Sequence, residues 1–207
     1  MAEAAGFEQR RAQLMTRATN ILMKPAVEWP VIAAESADVA GLIRDYAAPL
    51  AAIPALCQWI GMSAIGITMP LVGTYRVGIV RGLVGAIISW VFALVGVYVA
   101  AIVVEKLAPT FNSSGNTVQA LKLVVYASTP VWIAGVLNLV PALSPLVIIA
   151  ALYAIYVFYL GLPAVMNTPA DKLVPYTVVA ALVVIVVTLV LGACAALISG
   201  AGAYATF

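Results

Sequence analysis

The sequence predicts an all-α polytopic membrane protein, in which a bundle of five transmembrane helices follows a cytoplasmic amphipathic segment. Of the 207 residues, 65% are hydrophobic and only 9% are charged, whereas a soluble globular domain carries about 25% charged residues. The mean hydropathy of the chain is +1.12. The apolar residues form five runs, each close to the roughly 20 residues that a helix needs to cross a bilayer. These runs lack the alternation of a membrane β-barrel, so helices are expected.

Composition also excludes several classes of function. The net charge is only +2, and the basic residues form no cluster that would bind nucleic acid. The chain has no histidine, and therefore lacks the commonest general base and zinc ligand. Its two cysteines, Cys57 and Cys194, lie in apolar runs without metal-ligand spacing. We therefore expect neither catalysis nor a metal or cofactor site.

The first 45 residues are predicted to form a separate N-terminal segment. Residues 3–23 have the period of an amphipathic helix. Its apolar face is Phe7, Leu14, Ala18, Ile21 and Leu22, and its polar face is Gln9, Gln13, Arg17 and Asn20. Such a helix either lies on the inner membrane surface or packs on the bundle, and the pattern supports both equally.

The residues that follow this helix are expected to break it. Pro25 and Pro30 interrupt helical hydrogen bonding, and Trp29 is a candidate interfacial anchor. Ser36 and Asp38 then offer caps for a short helix that leads into the membrane.

Residues 46–207 are predicted to form the transmembrane domain. The predicted spans cover residues 47–69, 82–104, 120–140, 145–163 and 176–199. Lys122 is the ionisable side chain that lies furthest into a span, and it is expected to snorkel to the interface.

The distribution of basic residues predicts the orientation. With five spans and the N-terminus inside, eight of the ten Lys and Arg residues fall on the cytoplasmic side, as the positive-inside rule requires. The C-terminus then faces out. Arg76 and Arg81 are the exception, because they lie in the first loop, which this topology places outside.

A proline in the third span suggests a polar zone. Pro130 has no N–H, so the carbonyl of Tyr126 loses its helical partner. The phenols of the fourth span are expected to lie at a similar depth. Two interpretations stay open: a kinked helix with a satisfied hydrogen-bond network, or a polar pocket for a lipid head group or small molecule. The candidate pocket residues are Gln58, Ser128, Thr129 and Tyr156.

Several short motifs, taken in order, resemble those of the Yip family (Ypt-interacting proteins) in its compact bacterial form. Asp45, Tyr46 and Pro49 at the entrance to the first span resemble the acidic, Tyr, Gly-Pro signature of the family, and Tyr126 with Pro130 resembles its Gly-Tyr-x-x-x-Pro. The flanking matches are Pro25, Trp29, Ile32 and Glu35 before the first span, and Tyr153, Gly161 and Pro163 in the fourth. The resemblance covers nearly the whole chain, although Ala48 and Val125 replace the signature glycines.

The resemblance implies a five-span domain without enzymatic activity, which in eukaryotes serves vesicle traffic and binds Rab-type GTPases. A bacterial chain has no Rab cycle, so that activity is not carried over. We expect instead an adaptor or organiser in the bacterial inner membrane that binds lipids and protein partners or forms a homo-oligomer. The alternative is a small permease, channel or lipid flippase that uses the polar zone between spans one, three and four.

Overall fold

The computed structural model describes residues 2–69 and 73–198, and these are almost entirely helical. Five helical segments are long and apolar enough to cross a membrane: Val39–Ile65, Ile79–Phe111, Thr117–Leu139, Pro141–Met166 and Ala170–Ile198. The predicted all-α fold with five membrane-spanning helices is therefore confirmed. The predicted end of the fifth span at Ser199 lies outside the described residues.

Two helices precede the first span. Helix α1 is Ala2–Met23 and helix α2 is Pro25–Ala34, and the chain folds back between them so that α2 lies beside the end of α1. We call these two helices the N-terminal hairpin. Pro25 occupies the first turn of α2, where the missing N–H costs nothing, and Pro30 lies inside the same helix. The expected break is present at Pro25, since α1 ends at Met23, whereas Pro30 does not end α2.

The end of α1 packs on the bundle. Ala18 and Ile21 are buried, as the packed-helix interpretation predicts, whereas Gln13 on the polar face is exposed. Arg17, which we assigned to that polar face, lies instead on the packed side with a side chain only 17% exposed. The side chain of Phe7 lies outside the part of the chain that the structure describes.

The first span is built from consecutive helical segments. Helix α3, Val39–Gly41, is followed by a π-helical turn at Leu42–Ala47, helix α4 at Ala48–Ile60 and a second π-helical turn at Gly61–Ile65. The expected Asp38 cap is present, since its Oδ2 accepts a hydrogen bond from the backbone N–H of Gly41 at 3.2 Å.

A small antiparallel hairpin, which the sequence analysis did not predict, joins the first two spans. Strand β1 is Ile67–Met69 and strand β2 is Gly73–Tyr75. Thr68 pairs with Thr74, and their hydroxyls lie 3.0 Å apart. The β-branched threonines favour this extended pairing.

The remaining helices complete the bundle. They are α5 (Ile79–Leu107), α6 (Thr117–Ala127), α7 (Thr129–Ala134), α8 (Val147–Met166) and α9 (Leu173–Ile198). Short 3₁₀ turns at Ala108–Phe111, Gly135–Leu139, Pro141–Leu146 and Ala170–Lys172 extend their ends.

The third span, α6 and α7, forms the centre of the bundle. The apolar stretch of this span is 67% buried inside the protein, compared with 11–22% for the corresponding stretches of the other spans. Gly135 at its end allows close contact with the first span, because a Cβ there would lie 2.5 Å from the Cβ of Pro54. The central span is thus the surface on which the other elements, including the N-terminal hairpin, are assembled.

Candidate functional site

Three aromatic side chains from distant parts of the sequence meet on the central span. Tyr46 comes from the first span, Tyr126 from α6, and Trp29 from α2. The ring centroids of Tyr46 and Tyr126 are 4.7 Å apart in an edge-on arrangement, and those of Trp29 and Tyr126 are 6.4 Å apart, also edge-on. All three are buried, and such edge-on pairs stabilise beyond their buried area. We call this group the aromatic cluster.

A hydrogen bond attaches the cluster to the break in the central span. The Tyr46 hydroxyl lies 2.9 Å from the hydroxyl of Thr129, which is fully buried. Helix α6 ends before Ser128, and Pro130 lies in the first turn of α7, where a proline is tolerated. The helix is interrupted at one residue, Ser128, whose backbone stays in the right-handed helical region, and the span continues beyond it to Leu139.

Local hydrogen bonds close the last turn of α6. The backbone N–H of Ser128 donates to the carbonyls of Val124 and Val125 at 3.0 Å and 3.2 Å, and the Ser128 hydroxyl donates to the Val124 carbonyl at 2.7 Å.

A phenol of the fourth span is used elsewhere. The Tyr153 hydroxyl donates to the carbonyl of Leu22 at 2.7 Å, and this satisfies one of the orphan carbonyls at the end of α1. The fourth span thus holds the N-terminal hairpin.

Four charged side chains connect the hairpin to the central span. The guanidinium of Arg17 in α1 forms ion pairs with Glu28 in α2 and with Glu35 just after it, and Asn20 donates to the second oxygen of Glu28 at 3.0 Å. Arg17 also lies over the Tyr126 ring, with its Cζ 5.8 Å from the centroid. The charge cluster consists of these three side chains and Lys122, that is, Arg17, Glu28, Glu35 and Lys122.

The pKa of Arg17 reflects this environment. Burial opposes the charged form, but the hydrogen bond to Glu35 and the charges of both carboxylates outweigh it, so the pKa lies above its ordinary value. Arg17 therefore stays positively charged and holds two segments at once, a geometry that suits the forked guanidinium.

Lys122 does not snorkel to the interface as expected. Its residue is only 3% exposed, and its Nζ donates to the carbonyl of Ile32 at 2.9 Å and to the carbonyl of Glu35. These are orphan carbonyls at the end of α2, where a cation is favoured by the helix dipole. The apolar span thus uses its lysine to cap a helix of the hairpin.

Trp29 is likewise buried, at 1% exposure, and is not an interfacial anchor. Its indole N–H donates to the carbonyl of Val157 in α8 at 3.0 Å. Gly161, one turn further, makes room for the ring, because a Cβ there would lie 2.6 Å from Cε2 of Trp29 and 2.5 Å from Cδ1 of Leu123. Pro163 lies inside the same helix.

The other candidate residues lie apart from this group. Asp45 pairs with its neighbour Arg44 at 2.8 Å near the start of the first span, and Pro49 occupies the first turn of α4. Gln58 lines a cleft between α4 and α5. Tyr156 is 51% exposed, and its ring is tilted against that of Tyr153. The structure thus unites Tyr46, Tyr126 and Thr129 but separates Gln58 and Tyr156 from them.

The charge cluster is not apparent from the sequence, where Glu35 stands out only as part of a motif and Arg17 belongs to the polar face of the predicted amphipathic helix. The available signal is Lys122, because an ionisable side chain inside an apolar span usually has a specific partner. Among the residues that the structure describes, no group of three or more His, Cys, Asp or Glu is placed to hold a metal ion.

Comparison with known proteins agrees with the motifs that resemble those of the Yip family. The model of the Yip1 domain matches residues 19–192. The chain is 26% identical over 161 residues to the inner membrane protein YohC of Escherichia coli strain K12, an alignment that covers 76% of this chain and 83% of that protein. The same protein from Escherichia coli O6:H1 strain CFT073 matches equally. No solved structure matches the chain.

Proposed function

The chain belongs to the Yip1 domain family and is a multi-pass inner membrane protein, as its relatives are, and from this premise we propose that it is a non-enzymatic adaptor with a cytoplasmic N-terminus. The single observation that carries the proposal is the N-terminal hairpin. One side of it is attached to the central span, and the other side of α1 remains open to a partner.

The attached side is specific in its chemistry. The charge cluster, the Trp29 indole and the Tyr153 hydroxyl all bond the hairpin to the bundle. Charged side chains that are buried with satisfied partners tend to fix one arrangement of packed elements. The hairpin is therefore held in a defined position, as a recognition surface requires.

The open side of α1 is polar and accessible. Glu8, Gln9, Arg11 and Gln13 are exposed, and Met15 on the same stretch is 63% exposed. Glu8 and Arg11 form an ion pair of 3.8 Å at the surface, which contributes little to stability. Such a surface suits a protein partner that is recognised by complementary charge.

The polar zone expected between the first, third and fourth spans favours the adaptor over the permease or flippase. There Tyr46 and Thr129 bond each other, and Tyr126 packs against Tyr46. Side chains that bond to and pack against one another in this way occupy the zone and offer no polar lining for a passing substrate.

The experiment is a charge swap with a matched control. Exchanging Glu8 and Arg11, as Glu8→Arg with Arg11→Glu, keeps the net charge and changes only two exposed side chains of α1. The control exchanges Asp171 and Lys172, another surface ion pair at 3.6 Å. Proteins that copurify with each tagged variant are quantified by mass spectrometry after mild solubilisation.

We expect specific partners to be lost from the α1 swap and retained in the control. An identical set of partners for the wild type and both swaps would contradict the adaptor role.

The orientation has its own test. Single cysteines at Thr74 and Ser113, in a chain without Cys57 and Cys194, are exposed to a membrane-impermeant maleimide. The proposal predicts labelling from outside at position 74 only, and labelling only at position 113 would reverse the topology.

A further inference from the structure

The outer face of α2 is exposed and apolar. Helix α2 turns Trp29 and Ile32 toward the bundle, where both are buried. Its opposite face is accessible and carries only apolar side chains: Ala26, Val27, Pro30, Val31 and Ala34. Val27 is 68% exposed, and Met23 at the end of α1 is 75% exposed. A contiguous exposed apolar face marks an interaction surface, so this face needs an apolar partner.

Charged side chains in this part of the hairpin face inward. Between residues 12 and 34, Lys24 is the one exposed residue with a charge, and its long stem can carry the ammonium toward head groups. Arg17 and Glu28 in the same stretch pair with each other on the packed side. Ion pairs inside and apolar side chains outside are the arrangement expected of a segment surrounded by hydrocarbon.

Two hydrogen bonds to α8 fix the depth of the hairpin. The Trp29 indole bonds to the carbonyl of Val157, which lies nine residues before α8 ends at Met166, or about 14 Å along the helix. The Tyr153 hydroxyl bonds to the carbonyl of Leu22 at the end of α1, and Tyr153 lies about 20 Å from Met166. The turn between α1 and α2 therefore lies deeper along α8 than Trp29 does.

The central span gives the same direction independently. Lys122 lies five residues after the start of α6 and bonds to the carbonyls of Ile32 and Glu35 at the end of α2. The ring of Trp29 packs edge-on against that of Tyr126, four residues further along α6. Helix α2 thus runs beside α6 and α8 with its first residues deep in the bundle and its last residues near the ends of these spans.

Helix α9 shows that hydrocarbon reaches this level. It begins at Leu173, one short loop after the end of α8, and carries no charged side chain along its length. Its first turns expose Val174 at 61% and Val178 at 52%. Val178 lies five residues into α9, or about 8 Å, which is shallower than the level of Trp29 on α8. A bilayer that covers Val178 therefore also covers the first turns of α2.

The first span provides a second marker of depth. The exposed ion pair of Arg44 and Asp45 belongs at the level of the head groups. The next residue, Tyr46, packs against Tyr126, on which Trp29 also packs. Trp29 is thus level with the part of the first span that enters the membrane, and the turn of the hairpin lies below it.

We propose that the N-terminal hairpin re-enters the bilayer. Its turn dips into the leaflet on the side where the third span begins, which is the cytoplasmic leaflet in the orientation proposed above, and the outer face of α2 contacts acyl chains. The lipid is the apolar partner that this face needs. The insertion does not depend on the adaptor role, because Glu8 and Arg11 lie near the opposite end of α1.

The test measures the depth of a spin label by electron paramagnetic resonance. Val27→Cys is made in the full chain without Cys57 and Cys194, labelled with a nitroxide, and reconstituted in vesicles of phosphatidylethanolamine and phosphatidylglycerol. Collisions of the label with oxygen, which dissolves in hydrocarbon, are compared with collisions with a water-soluble nickel chelate.

Two further positions calibrate the measurement. Glu8→Cys, at a side chain that is 74% exposed, is the reference for water. Leu182→Cys, at a residue that is 59% exposed, is the reference for lipid. Leu182 lies nine residues after Leu173, about 14 Å along α9, and so matches the depth of Trp29 on α8.

We expect the label at position 27 to lose collisions with the nickel chelate as fully as the label at position 182, and to keep its collisions with oxygen. Val31→Cys, about 6 Å nearer the surface, should regain part of the nickel collisions. Nickel collisions at position 27 equal to those at position 8 would place α2 in water and overturn the proposal. Loss of both collision partners would place protein on this face and overturn it too. Monodisperse elution shows that each variant is folded, and Val31→Cys keeps the test decisive if Val27→Cys does not fold.

Discussion

Replacing Lys122 by methionine should release the N-terminal hairpin from the central span. Methionine keeps the length of the side chain and removes its donors. The carbonyls of Ile32 and Glu35 then lose their partner, and an unsatisfied buried polar group costs about 1–3 kcal/mol. Part of this cost is offset because the variant no longer buries a charge. We therefore expect docking of the hairpin to weaken by about 2 kcal/mol, or about 30-fold in its equilibrium.

Cysteine labelling measures this docking equilibrium directly. Ala18 is 5% exposed against the bundle, so a cysteine placed there in a chain without Cys57 and Cys194 reacts only when the hairpin opens. Labelling should be about 30-fold faster in Lys122→Met. Lys106→Met, at the end of α5, serves as the control and should leave the rate unchanged. An unchanged rate in Lys122→Met would refute the capping role of Lys122.

Three further predictions concern the packing of the hairpin and the aromatic cluster. Arg17→Lys keeps the charge but loses the forked geometry, and should speed labelling at position 18 by about fivefold; equal rates would mean that charge alone is sufficient. Tyr46→Phe should lower the free energy of unfolding by about 1 kcal/mol in detergent, measured by tryptophan fluorescence on heating, while Tyr98→Phe, at a site that is 40% exposed, should have no effect. Gly161→Ala should cost about 1–3 kcal/mol through the clash with its neighbours, whereas Gly192→Ala meets nothing within 4 Å, and a comparable loss at both positions would argue against the close approach.

The number of spans could be predicted because lipid imposes a simple rule, although the predicted first span at 47–69 begins after Val39 and runs into strand β1, Ile67–Met69. A helix must present about 20 apolar residues to cross the bilayer, and a charge such as Lys122 stands out against them. The predicted fourth span at 145–163 accordingly lies inside the observed Pro141–Met166. Short connections such as the β-hairpin obey no comparable rule, since their structure depends on only a few residues and on how these pair.

The aromatic cluster was only partly accessible from sequence. Motif resemblance selected Tyr46 and Tyr126, but not the contact of their rings, which depends on how the first and third spans pack. Trp29 and Arg17 were misplaced because a tryptophan near a proline and an arginine on an amphipathic helix usually face the interface or water. Here α2 lies beside Arg17 and provides Glu28 as its partner, and α8 provides the carbonyl that accepts from Trp29. No local pattern reports such distant contacts.

Tyr156 shows the limit of judging depth along an antiparallel helix pair. The phenols of the fourth span are expected at a depth similar to that of the break at Pro130, but depth does not fix the direction in which a side chain points. In the structure it lies on the outer side of α8, half exposed. Depth along a helix follows from 1.5 Å per residue, whereas the facing direction depends on packing with every neighbour.

Site-specific photo-cross-linking at Gln13 tests the central claim most directly. Gln13 lies on the open side of α1, and a photoreactive residue there should give a discrete protein adduct in living cells. The adduct should become weaker in Lys122→Met, where the hairpin is released, and should be absent when the photoreactive residue is placed at Leu182, which is 59% exposed on the apolar surface of α9. A lipid adduct alone at position 13, or a protein adduct indifferent to Lys122→Met, would contradict the account of a docked hairpin that presents α1 to a partner.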